Sequence, residues 1–213
     1  MKTKLLLFIL IPLFSVTVLK AQDYAASIKV GTLGVSVEAY RSIGPDFNIR
    51  LGVADFAYTA NNVTSSDTYS ANADLKLLSI SALADWFPFE SNLRITAGAI
   101  INLNKVDIAL TPTKTYTQGN IKYTPDKLGQ LNAELTFNKV APYIGIGLGN
   151  PTSGARGLGF TFDIGTFFQG GPKASMSATK LLGPSASQSG ILQDDIKALK
   201  FYPVLSFGLF YKF

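Results

Sequence analysis

The chain has 213 residues, with 19 Lys+Arg against 14 Asp+Glu and neither His nor Cys. That absence excludes an imidazole base, a Ser-His or Cys-His nucleophile, a Cys/His zinc site, thiol redox chemistry and a disulfide. Only 15% of residues are charged while aromatics reach 12%, where a soluble domain carries roughly a quarter charged residues, so the composition points to a β-rich chain in an apolar setting.

Residues 1–21 begin with Lys2 and Lys4, and the apolar stretch 5–19 follows, interrupted by Pro12. Fifteen residues are short for a spanning helix, which needs about 20. The segment reads as an export signal cut near Ala21–Gln22, with an uncleaved anchor as the alternative. Residues 22–213 then form one domain. Without Lys2, Lys4 and Lys20 the chain keeps sixteen basic and fourteen acidic residues. No Lys/Arg stripe survives, and no nucleic-acid partner is expected.

Beyond the signal, period-two alternation recurs in segments 28–40, 47–58, 73–87, 93–110, 130–138, 142–149, 157–169, 174–182 and 201–213. In 93–103, Leu93, Ile95, Ala97, Ala99, Ile101 and Leu103 oppose Arg94, Thr96, Gly98 and Asn102. In 160–169, Phe160, Phe162, Ile164 and Phe168 oppose Thr161, Asp163, Gly165 and Gln169. The polar faces carry Gly, Ser, Thr and Asn with a few single charges, where a soluble lipocalin-like sandwich would show more Lys and Glu. Aromatics such as Tyr40, Phe47, Trp86 and Phe168 gather at segment ends, as at a bilayer interface. The expected fold is all-β: a closed antiparallel transmembrane β-barrel of 8–10 strands with a polar interior.

Residues 41–46, 88–91, 138–141 and 169–173 carry Pro, Gly or Asn and read as short turns. Residues 59–72, 111–130 and 183–199 read as long polar loops. Within them, 191–200 spaces Leu192, Ile196 and Leu199 like an amphipathic helix, and 124–131 reads as a single helical turn. Nine segments are odd for a barrel with both termini on one side. Splitting 28–40 around Gly31–Gly34 gives ten strands; running 130–149 as one bent strand gives eight.

The last strand ends in Phe213, with Phe207, Leu209 and Tyr211 at alternate positions before it. It resembles the C-terminal signature of bacterial outer-membrane barrels, which implies recognition of these residues by the barrel assembly machinery. Stretches 31–58, 84–102, 137–151 and 157–176 are similar to small Gram-negative outer-membrane barrels of the OmpA-like and OmpW-like kind. The resemblance implies residence in the cell outer membrane among its lipids, with short turns toward the periplasm. It carries no catalytic or ligand residue.

Turn centres near residue 44 and between 89 and 90 place Glu38 opposite Arg50 and Asp85 opposite Arg94, so both pairs are expected inside the barrel. A lone charge in a narrow lumen is costly and a paired one tolerable. Asp163 with Gln169, and Asn102 with Asn104, extend the expected polar lumen. No cofactor, metal site or enzymatic activity is expected. Asp67, Asp194 and Asp195 have no EF-hand spacing, and the strand glycines of 145–151 and 154–159 lack a phosphate-loop context. The expected function is a narrow channel or small-solute uptake barrel; the alternative is a non-conducting structural or surface-interaction barrel with a plugged lumen.

Overall fold

The computed structural model describes residues 23–66, 68–88, 91–183, 196 and 199–213. Residues 1–22, where the export signal is expected, and most of 191–200 lie outside them. Thirteen strands are described: β1 (Tyr24–Gly31), β2 (Gly34–Ser42), β3 (Phe47–Ser66), β4 (Tyr69–Trp86), β5 (Leu93–Asn102), β6 (Lys105–Pro112), β7 (Tyr116–Gln118), β8 (Ile121–Tyr123), β9 (Leu131–Thr136), β10 (Val140–Leu148), β11 (Gly157–Phe168), β12 (Lys173–Ala178) and β13 (Phe201–Lys212). One helical turn, α1 (Pro125–Leu128), follows Thr124. Pro125 at its start suits the fixed proline φ and missing N–H.

Eight strands close into a ring, in the order β1, β2, β3, β4, β5, β10, β11 and β13, every neighbouring pair antiparallel. The segment 28–40 is two strands, with a tight hairpin at Thr32–Leu33 between Gly31 and Gly34. Gly34 has φ +93°, and a Cβ there would press on the β3 backbone, so glycine is required. The ring is nonetheless of eight strands, because the segments 130–138 and 174–182 leave it, as does the second half of 93–110. β6, β9 and β12 continue the paths of β5, β10 and β11 beyond the barrel and pair with one another and with the outer half of β4. Residues 138–141 and 169–173, expected as turns, are bends where strands run on in the same direction. The Asn, Gly and Pro residues that mark turns also permit such bends.

The turns at 43–46 and 149–156 and the link from β4 to β5 share one end with Tyr24 and Phe213, where the Phe213 N–H donates to the Tyr24 carbonyl (3.1 Å). The long β3–β4 hairpin and the added strands occupy the other end. In the wall, alternate residues face opposite sides, and the sides are sorted inside out. Ile95, Ile164, Leu205 and Leu209 face outward and are 38–47% exposed, while Arg94 and Asp163 face inward at 0% and 2%. This polarity suits a lipid solvent and is wrong for water. Phe47 stacks on Trp86 at the turn end, and Phe168 meets Phe201 at the other, as expected of interfacial aromatics.

The sorting reverses along single strands. β4 keeps one register with β5 and then with β6. Its outward residues change from Trp86, Ala84, Ala82, Ile80 and Leu78 to Lys76, Asp74 and Asn72. On β5 and β6 the change falls between Leu103 and Lys105. The inner face above that level is apolar, with Leu75, Val106, Ile108 and Leu135 in matching rows. The boundary between lipid and water is thus written into the strands.

Candidate functional site

Inward positions on six ring strands bring three cations and three carboxylates together across the lumen. The alternation of β1 and β2 around their hairpin turns Lys29, Glu38 and Tyr40 inward; β3, β4, β5 and β11 add Arg50, Asp85, Arg94 and Asp163. Lys29 Nζ lies 2.6 Å from both Glu38 Oε2 and Asp163 Oδ2. Arg50 reaches Glu38 (3.3 Å), Asp85 (3.4 Å) and Asp163 (3.1 Å). Arg94 reaches Asp85 (3.6 Å) and Asp163 (2.6 Å). Asp163 therefore joins all three cations. Hydroxyls complete the set: Thr96 donates to Asp85 (2.6 Å), Tyr40 donates to Glu38, and Arg94 donates to Thr161 (2.9 Å). The six charges cancel, which is the condition under which ions persist in a low-dielectric interior.

The expected pairs are present, but not directly opposite. Glu38 faces Gly52, and Tyr40 faces Arg50. Asp85 faces Thr96, and Arg94 faces Gly147 and lies diagonal to Asp85. Each turn centre lies one residue further along than expected. This shifts the partners by two positions and preserves which face they occupy. Guanidinium groups are long enough to bridge the diagonal. Asp163 does not pair with Gln169; its position among the three cations was not anticipated. Asn102 lies 3.4 Å from Gln169, and its Oδ1 accepts the Asn104 N–H (3.1 Å). These amides form a separate polar layer where β5 passes into β6. Phe207, Leu209 and Tyr211 line the outer face of β13, and Phe213, also exposed, follows its end. Asp67, Asp194 and Asp195 lie outside the described residues.

Glycines on neighbouring strands make room for the charged side chains. A Cβ on Gly208 would lie 2.6 Å from Lys29 Cγ, one on Gly52 2.8 Å from Glu38 Cγ, and one on Gly147 2.7 Å from Arg94 Cζ. Arg94 cannot retreat, being held by Asp163, Thr161 and the Leu148 carbonyl. Gly147→Val is therefore expected to lower the unfolding free energy by about 1–3 kcal/mol, the usual cost of overpacking. Gly44→Ala, where a Cβ meets nothing within 4 Å, should leave it unchanged. Urea midpoints in detergent micelles compare the two.

Further layers close the lumen. At the turn end, residues of the 149–156 turn fold into the mouth, where Thr152 donates to Asn48 (2.7 Å) and Asn48 to Asn150 (3.2 Å), beside buried Pro151 and Phe87. On the other side of the ion pairs, Leu83, Ile100, Ala141, Tyr143, Phe167 and Val204 form an apolar cluster with Leu33 and Tyr202. A void of about 50 Å³ remains between the layers, bordered by Ser36, Ser79, Ser81, Ser206 and the ion-pair residues Glu38, Arg50 and Asp163. That volume holds a few waters.

No family model matches the chain, and no curated protein matches it. Among solved structures it is similar to CarO of Acinetobacter baumannii, with TM-score 0.58, 18% identity and coverage of 89% of this chain and 97% of that one. CarO2 of the same organism gives TM-score 0.61, 18% identity and coverage of 90% and 98%. A major outer membrane protein from Thermus thermophilus gives TM-score 0.45 at 13% identity, covering 89% and 99%. Likeness at 18% identity speaks for the fold alone. The chain is a transmembrane β-barrel of the outer-membrane type, with eight strands and a lumen filled by its own side chains.

Proposed function

We propose that the chain serves in the outer membrane as a non-conducting barrel. Its closed wall anchors the sheet formed by β3, β4, β6, β9 and β12 on the cell surface, where that sheet meets its partners. The observation that carries this reading is the lumen: three cations neutralised by three carboxylates, with an apolar layer beyond them. An ion crossing it would have to break buried pairs, at about 3–5 kcal/mol for each uncompensated charge. Eight strands enclose an interior just wide enough for side chains. The reading also takes Phe207, Leu209, Tyr211 and Phe213 as the contact for the assembly machinery, in keeping with the resemblance to OmpA-like and OmpW-like barrels.

A second reading, a narrow path for a small solute, is favoured by the void that runs from the apolar cluster past four serines to Glu38, Arg50 and Asp163. Planar bilayers separate the two. Purified protein is expected to give no discrete openings above background in concentrated KCl. Reproducible unitary openings by the wild-type chain, absent when Ser36→Leu fills the void, would replace the first reading with the second.

A further inference from the structure

On the outward face, at the level where the wall changes from lipid-facing to water-facing, lysines stand in one row. Lys76 on β4 is directly opposite Lys105 on β6, Lys105 opposite Thr136 on β9, and Thr136 opposite Lys173 on β12. Directly opposed residues of antiparallel strands point to the same side and lie within about 4.5–5.5 Å at Cβ, where like charges destabilise the sheet. All three lysines are exposed or nearly so. Lys105 is held by Asp107 (3.0 Å) and Glu134 (2.8 Å), contacts that raise its ammonium above the ordinary lysine value, the Glu134 hydrogen bond most. Lys76 and Lys173 have no carboxylate within 4.0 Å among the described residues. Asp55, diagonal to Lys76 across β3 and β4, does not pair with it.

One row further from the bilayer, about 7 Å at the strand rise, Asp74, Asp107, Glu134 and Ser175 face the same side. Thr59 donates to Asp74 (2.6 Å). A groove of about 240 Å³ runs over this row and the next, where Asn132 and Ser177 lie. Below the lysines the wall is apolar apart from Asp55 opposite Leu78, with Leu78, Ile80, Ile101 and Leu103 exposed to lipid. Moving outward from the bilayer, the surface offers apolar side chains, then cations, then a groove of carboxylates, amides and hydroxyls.

We propose that this face binds the head group of a phosphorylated glycolipid of the outer leaflet, with phosphate on Lys76 and Lys173 and sugar in the groove. The inference rests on the reading of the chain as an outer-membrane barrel, with the long-strand end outside as is usual for such barrels. Lysine is a point-charge ligand for phosphate, and its place at the end of the apolar band matches where a lipid-anchored phosphate sits. The carboxylates, amides and hydroxyls beyond match hydroxyl groups, which donate and accept hydrogen bonds. Lys105 is already neutralised by Asp107 and Glu134, so the phosphates fall to Lys76 and Lys173 at the two ends of the row.

The test uses the full chain in detergent, with purified lipopolysaccharide carrying its lipid phosphates and inner-core sugars as the probe, and retained glycolipid measured by native mass spectrometry. The wild type should bind it in competition with phosphatidylglycerol. K76A/K173A should weaken binding at least tenfold, and K76R/K173R should retain it. Glycolipid stripped of its phosphates should bind as weakly as the double-alanine variant. Equal retention by wild type and K76A/K173A, or full displacement by phosphatidylglycerol or inorganic phosphate, would overturn the proposal. Both variants lie on the surface, so heat-modifiable migration on gels should be unchanged and checks that the barrel is intact. Labelling of intact cells with an impermeant amine reagent reports separately which end is outside, and bilayer conductance reports separately whether the lumen is closed.

Discussion

Asp163→Ala should lower the unfolding free energy by about 3–5 kcal/mol, the range for breaking a buried charge network by removing one partner. Asp163 accepts from Lys29 (2.6 Å), Arg50 (3.1 Å) and Arg94 (2.6 Å), and it is 2% exposed. Its loss leaves three buried cations facing Glu38 and Asp85 only. The excess positive charge cannot leave, because Arg94 and Arg50 are fixed between layers of packed side chains. Asp163→Ala combined with Lys29→Met restores neutrality at two against two. The double variant should therefore be more stable than the sum of the single effects by at least about 1 kcal/mol, a coupling typical of groups in one network. Urea titration in micelles, followed by the fluorescence of Trp86, measures both. A cost below about 1 kcal/mol for Asp163→Ala would mean that water already reaches and screens the network, and the closed-lumen reading would fall with it.

Ile164→Arg comes second, and it probes the other side of the wall. Ile164 lies on the outer face of β11 between Ile146 and Leu205. All three are about half exposed in the isolated chain. In a soluble protein such a surface change usually falls within about 0.5 kcal/mol. On the lipid face of a barrel, arginine near the bilayer midplane costs about 2–4 kcal/mol, and less toward the interfaces. The measurement belongs in lipid vesicles, with Ile164→Leu as the neutral control. Unchanged stability for the arginine variant would place this face in water and remove the basis for the membrane assignment.

Much of this arrangement is legible in the residues. Strict alternation of Ile95, Ile101 and Ile164 against Arg94, Asn102 and Asp163 marks both faces, because the strand period of two leaves no other assignment once one face is polar. The lone charges of those faces had to be paired, and Glu38, Arg50, Asp85 and Arg94 are. Less legible were the contacts that join distant strands. Lys29 stays out of phase with Glu38 and Tyr40 until the Gly31–Gly34 hairpin is recognised. Asp163 meets Lys29, Arg50 and Arg94 across the lumen, and counting back from a turn reaches only adjacent strands. The bends at 138–141 and 169–173 read as turns because Gly, Pro and Asn serve both purposes. Whether the chain reverses there depends on tertiary pairing, here of β9 with β6 and β12. The lysine row follows from the same pairing, since Lys76, Lys105 and Lys173 are far apart in the chain.

The first and last wall strands are neighbours, joined from Ala25–Lys212 through to Gly31–Ser206. The seam therefore joins the first wall strand to the last. Synthesis delivers one edge first and its mate only after all the other wall strands, so the cylinder cannot seal until every one of them has emerged. Until then both edges carry unsatisfied backbone groups that hydrocarbon will not tolerate. Something must shelter those edges during the interval, and the time spent waiting grows with everything in between, including the lengthy excursions that add nothing to the cylinder itself.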